Sequence, residues 1–109
     1  MREPHHPAPE KLELPAVLHA LSDPARLSIV CTLSSVHECC CGDFDLTLSK
    51  ATLSHHLRVL REAGVTSTRC NGRKRLTSLR AGDLEARFPG LLYAVLSGAD
   101  QEPERLVSA

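Results

Sequence analysis

Residues 49–79 read SKATLSHHLRVLREAGVTSTRCNGRKRLTSL, and the fold class follows from them. Leu53, Leu57 and Leu60 recur at i, i+4 and i+7, one face of an α-helix. Ser49 is a favoured N-cap residue, and Gly64 stands where a helix end calls for a left-handed residue. The spacing therefore predicts a helix that runs to Ala63. VTSTRC and RKRLTSL are β-rich segments around Asn71-Gly72, a strong two-residue hairpin signal. A long helix leading directly into a hairpin is the pattern to explain.

Toward the N-terminus, Leu14, Val17, Leu18 and Leu21 mark a first helix from Leu12 to Leu21. Ser22-Asp23-Pro24 breaks it and starts another, with Asp23 as cap and Pro24 at the first helical position. That second helix is expected to reach about Leu33, with Leu27, Ile29, Val30 and Cys31 available for burial. Residues 34–48, SSVHECCCGDFDLTL, are expected to form a loop and a short helix around Cys40–Asp45, weakened by Gly42. Beyond the hairpin, Asp83 is expected to cap a helix begun by Leu84. Pro89 interrupts it, and Leu91, Leu92, Val95 and Leu96 continue its apolar face to Gly98.

Pro4, Pro7 and Pro9 block helix and sheet, so residues 1–11 are expected to be a flexible arm. Residues 12–98 then form one domain, and the polar residues 99–109 a flexible tail. The fold class is mainly α with a small β-hairpin, in the order α-α-α-α-β-β-α. Three helices followed by a two-stranded wing describe a winged helix-turn-helix.

The 109 residues suffice for one modest core. Phe44, Phe88 and Tyr93 are the only aromatic residues besides histidine, so the core must come from Leu, Val, Ile and Ala. A domain this small is marginal alone, and burial against a second copy is expected to help. No apolar run approaches the length of a membrane span. The N-terminal MREPHHPAPEK lacks the apolar stretch of a signal peptide, which points to the cytoplasm.

The formal net charge is zero, but its distribution is uneven. Residues 1–48 carry three basic and seven acidic groups, and residues 81–109 carry two and five. Residues 49–80 carry eight basic groups against Glu62 alone. A basic centre between acidic flanks is the electrostatic footprint of a nucleic-acid-binding face.

The long helix has the chemistry of a recognition helix. Lys50, Ala51, Thr52, Ser54, His55 and Arg58 lie largely opposite its leucines. Short polar side chains there suit base edges, and the positive charges suit phosphates. A solvated outer face explains such a helix taken alone. That explanation weakens here because Arg69, Arg73, Lys74 and Arg75 crowd the turn that follows. Four cations around one hairpin repel one another unless a polyanion is present.

Three segments resemble the ArsR/SmtB family of winged-helix repressors: LHALSDPARLSIVCTL (18–33), LSKATLSHHLRVLREAGV (48–65) and TRCNGRKRLTSL (68–79). The likeness covers roughly residues 14–97. It implies a homodimer held by the first and last helices, bound to a palindromic operator in double-stranded DNA. By the same resemblance, Ser49, Lys50, Thr52, Ser54, His55 and Arg58 match recognition-helix positions. Arg73, Lys74 and Arg75 match the wing, and His56 matches a histidine packed against the protein.

Many members of that family leave DNA when a metal or metalloid binds. Those that sense thiophilic ions hold two cysteines, one residue apart, before the recognition helix. Here Cys39 and Cys41 keep that spacing, with His37 and Cys40 beside them. Thiolates suit arsenite and other soft ions, while His37 suits zinc, nickel or cobalt. Three successive residues on a helix point about 100° apart, so the three cysteines cannot converge on regular helix. A further ligand from His5 or His6 of a partner's arm would complete the shell. The family's other common site uses Asp and His on the last helix, and residues 83–97 contain no His. The competing reading is that the cysteines pack under the recognition helix, as buried thiols often do. Cys31 is expected in the core. Cys70 is expected to be exposed beside the wing turn, incidental or a redox handle activated by Arg69 and Arg73.

Two other functional classes fit less well. His55-His56 beside Ser54 suggests catalysis, but no acidic partner is apparent, so an enzyme is not expected. A winged helix can also bind protein alone, yet such an interface does not require this density of positive charge. Within the regulator class, metal sensing, thiol redox sensing and the absence of any effector all remain open.

Overall fold

Two side chains begin the two principal helices. Asp23 has extended backbone, and its carboxylate accepts from the amides of Ala25 (2.8 Å) and Arg26 (3.2 Å). Ser49 likewise accepts from the Thr52 amide at 3.1 Å. Each satisfies helix-end donors that would otherwise lack partners. A computed structural model describes residues 6–40, 44 and 47–100. In order it contains a 3₁₀ turn (Pro9–Lys11), α1 (Leu14–Leu21), α2 (Pro24–Ser34), β1 (Cys39–Cys40) and α3 (Lys50–Ala63). There follow β2 (Thr66–Asn71), β3 (Lys74–Leu79), α4 (Ala81–Arg87) and α5 (Leu91–Asp100).

The architecture is the expected winged helix, with a third strand added to the wing. The antiparallel sheet runs β1-β3-β2. Cys39 pairs with Thr77 and Cys40 with Leu76, so the short helix expected from Cys40 does not begin there. Pairing with β3 satisfies backbone groups along an edge that would otherwise be open. The rest of that expected helix falls at residues 41–43, 45 and 46, outside the described residues.

Helix α3 ends as anticipated. Gly64 adopts φ +87°, its amide donates to Arg61 O, and the Val65 amide donates to Leu60 O at 3.0 Å. These two bonds form a Schellman motif. A Cβ at Gly64 would collide with the Leu12 side chain. The chain then enters β2, and Arg80 N–H donates back to Val65 O at 3.0 Å, closing the base of the wing.

The turn sits one residue later than expected. Asn71 pairs with Lys74, so the two loop residues are Gly72 and Arg73. Gly72 takes φ +65°, and no described non-glycine residue has positive φ. A glycine at the first loop position fits a type II′ turn, which spares Arg73 a left-handed backbone.

Helix α4 also starts before its expected cap. Its N-cap is Arg80, and Asp83 lies within the first turn, accepting from Arg80 Nε at 3.0 Å. That ion pair occupies the carboxylate expected to cap the helix. Gly90 (φ +80°) precedes α5, which continues past Gly98 to Asp100.

The core is aliphatic, as the shortage of aromatic residues requires. Leu12, Val17, Ile29, Val30, Leu60, Val65 and Leu84 are at most 2% exposed. Of the recognition-helix stripe, Leu60 is fully buried, while Leu53 and Leu57 pack at the margin. From His6 onward the proline-rich segment is tied to this body. His6 Nε2 accepts from the Thr68 amide (2.9 Å), Pro7 O from Arg80 Nη1 (2.9 Å) and Leu12 O from Arg87 Nε (3.0 Å). The last of these crosses 75 residues of sequence, a closure that local pattern does not reveal.

Candidate nucleic-acid interface

Ser49, which caps α3, and Lys50, Ala51, Thr52, Ser54, His55 and Arg58 on the helix itself are all exposed. Ser49 Oγ also donates to Thr52 Oγ1 at 2.9 Å, so the cap orders a second polar side chain beside it. On the wing, Arg73, Lys74 and Arg75 are exposed. Helix and wing meet in an open groove of about 420 Å³ lined by Ala51, Ser54, His55, Arg58, Arg61 and Arg75. The lining includes three guanidiniums and no carboxylate. This groove brings together Ser54, His55, Arg58 and Arg75 from the expected set. Arg61 lies outside that set, although it follows Ser54 by seven residues and so shares its helical face.

Arg69 is placed differently. Its Nε and Nη2 donate to the two carboxylate oxygens of Glu38 at 2.6 and 2.8 Å. The fork-on-carboxylate geometry draws Arg69 toward the segment preceding β1. The hydrogen bond from Arg69 holds the Glu38 carboxyl below its ordinary value, with the charges of Arg69 and His37 adding to it against desolvation.

The recognition helix is seated by His56. Arg26 is buried, and its guanidinium reaches Ala20 O (2.8 Å), His19 O (3.4 Å) and His56 Nδ1 (3.2 Å). Burial lowers the His56 pKa, and the charges of Arg26 and His55 push the same way against Asp23. A neutral imidazole, accepting at Nδ1, is the form that fits beside the guanidinium. Arg26 thus joins the end of α1, the start of α2 and the middle of α3.

The four described cysteines lie on α2, β1 and β2. Cys39 is buried and Cys40 half-buried on β1, where successive side chains point to opposite faces. His37 is exposed, and His6 is engaged with the Thr68 amide. Cys41 and His5 lie outside the described residues. Among the described residues, no three His, Cys, Asp or Glu side chains gather as metal ligands do. Cys31 and Cys70 are both half-buried, where a core and an exposed position were expected. Burial, and secondarily Asp100, raises the Cys31 thiol pKa, which keeps it protonated and unreactive.

A polar helix presented beside a basic wing, on a helical core, defines a winged helix-turn-helix transcriptional regulator. The chain belongs to the arsR family of bacterial regulatory proteins, whose sequence model matches residues 23–68. It is 37% identical over 99 residues to the biofilm growth-associated repressor of Agrobacterium fabrum, covering 87% of this chain and 83% of that one. It is 40% identical over 68 residues to the arsenical resistance operon repressor of Staphylococcus xylosus, covering 62% and 65%. The crystal structure of the transcriptional repressor BigR from Xylella fastidiosa superposes with a TM-score of 0.61 at 34% identity, covering 77% and 83%. Family membership makes the chain a DNA-binding regulator rather than an enzyme. Among the described residues, no helix is long and apolar enough to cross a membrane.

Proposed function

We propose that the protein is a homodimeric repressor that binds a palindromic operator through α3 and the wing. The observation that carries this reading is the basic groove formed by Arg58, Arg61 and Arg75 beside exposed Ser54 and His55. In this docking, Ser49, Lys50, Thr52, Ser54, His55 and Arg58 enter the major groove, while Arg73, Lys74 and Arg75 meet the flanking backbone. The names of the relatives, both repressors, support the sign of regulation. A DNA partner also supports a cytoplasmic location.

Dimerisation through α1 and α5 is supported by apolar side chains left in solvent. Leu14 and Leu18 on α1 are 42% and 45% exposed, and Tyr93 on α5 is 77% exposed. A second copy would cover them and give the two-fold symmetry that a palindrome requires.

An effector reading follows from the arsenical resistance repressor among the relatives. On that reading, arsenite or a transition ion (nickel, zinc or cobalt) binds Cys39, Cys41 and His37, with Cys40, His5 and His6 as further donors. Release would pass to α3 through the segment that joins β1 to Ser49. Thiol oxidation at the same cysteines is the competing signal.

The test is fluorescence anisotropy of promoter DNA over a range of salt, with sedimentation to count protomers. Steep loss of affinity with salt and a stoichiometry of two protomers per site are expected. Salt-independent binding, or none, would overturn the reading.

A further inference from the structure

Beneath the open groove lies a smaller cavity of about 80 Å³, lined by Ser54, Leu57, Arg61, Thr68, Arg75 and Thr77. It sits where α3 packs on the inner face of β2 and β3. Its floor is neutral, because Thr68 and Thr77 are buried partners across the strands. Its rim carries two guanidiniums, from Arg61 and Arg75, and Arg58 stands in the adjoining groove.

Arg61 distinguishes this place from an ordinary basic surface. Its Nε is buried and has no hydrogen-bond partner among the described residues. A guanidinium donor withdrawn from water without an acceptor is unfavourable and calls for an explanation. The ion pairs among the described residues are Arg69 with Glu38 and Arg80 with Asp83, and neither engages the groove. No acceptor among the described residues reaches it, and an anion bound from outside would both accept from it and offset the charge of the neighbouring guanidiniums. A tetrahedral oxyanion suits two planar guanidiniums and the Ser54 hydroxyl.

We infer that this cavity is a phosphate slot, in which one phosphodiester of duplex DNA is gripped between Arg61 of the recognition helix and Arg75 of the wing. This rests on the DNA-binding reading above and adds a residue and a role to it. Arg61 anchors the backbone and sets the depth at which α3 sits, while His55, which lines only the outer groove, remains available to the bases. Because phosphate is common to all steps, the contact carries affinity rather than sequence preference. The wing and helix are also locked to one angle when the slot is filled.

The experiment compares wild type, Arg61→Gln and Arg61→Lys on promoter and unrelated duplexes between 50 and 200 mM salt, with each variant's Tm recorded. Arg61→Gln is expected to lose several-fold affinity on both duplexes and to reduce the log–log salt slope by about 0.9, the value of one phosphate contact. Arg61→Lys keeps the charge without the Nε donor and should recover only part of the affinity. It serves as the test should Arg61→Gln fail to fold. Unchanged affinity and slope at an unchanged Tm would overturn the slot and leave the DNA reading standing. Absence of duplex binding by wild type would overturn both. In a parallel arm, inorganic phosphate replaces chloride at equal ionic strength. If phosphate raises the wild-type Tm, Arg61→Gln abolishes that rise, and the DNA slope does not change, the occupant is a free oxyanion and the phosphodiester assignment fails.

Discussion

Arg26 Nη1 lies 3.2 Å from His56 Nδ1, and this contact joins the second helix to the recognition helix. The same guanidinium holds two carbonyls at the end of the first helix. The angle at which α3 sits on the first two helices therefore depends on one buried cation and one neutral imidazole.

Protonation of His56 would set two positive groups against each other in a half-buried site. Its folded pKa lies below the ordinary imidazole value of 6.5, so the unfolded chain binds this proton more readily. Stability should then fall as pH drops below about 6.5 and level off once the folded form is protonated too. Tm measured from pH 8 to 5 should show this decline for wild type. His56→Gln, which can accept but does not titrate, should flatten it. An equal decline in both proteins would refute the assignment.

Removing Arg26 strands the carbonyls of His19 and Ala20 and the His56 ring nitrogen. Arg26→Ala is expected to cost about 2–3 kcal/mol, since hydrogen bonds to charged groups are the strong ones. Urea unfolding would measure it. A loss under about 0.5 kcal/mol would mean water replaces the guanidinium without penalty.

Gly64 and Gly72 both have positive φ, but their surroundings differ. Gly64→Ala must adopt a left-handed backbone and also displace Leu12, whereas Gly72→Ala meets open space. The expected costs are about 2–3 kcal/mol for the first and about 1 kcal/mol for the second. Similar midpoints for the two variants would show that Leu12 moves aside easily.

Arg69 and Arg73 are neighbours on the wing with opposite expectations. Arg73→Ala should weaken binding to every duplex and flatten the salt slope. Arg69→Ala should leave the slope unchanged, because its partner is Glu38. Its stability cost should be small, as for other surface ion pairs. Thr52→Ala and His55→Ala should narrow the gap between promoter and unrelated DNA instead. An Arg69→Ala slope change matching that of Arg73→Ala would place Arg69 at a phosphate.

For the effector, arsenite, zinc, nickel and cobalt would each be titrated into the reduced protein on promoter DNA. Stoichiometric release by one ion, abolished in the Cys39→Ser, Cys41→Ser double variant, is the expected result. Release that survives the double substitution would place the sensor elsewhere.

Features set by neighbours in the chain are legible from residue order alone. Asp23 and Ser49 cap, Gly64 terminates, and Leu53, Leu57 and Leu60 share a face, because each depends on residues within about two turns. The charge excess of residues 49–80 is likewise a property of composition. What the tertiary structure decides involves partners far apart in sequence. Arg26 meets His56 across 30 residues, and Glu38 meets Arg69 across 31. The same holds for β1, which exists only because β3 offers an edge to pair with. Residue type alone marks Arg69 as a DNA contact and passes over Arg61. Packing gives the two guanidiniums different surroundings, because a carboxylate reaches Arg69 and none lines the groove that holds Arg61.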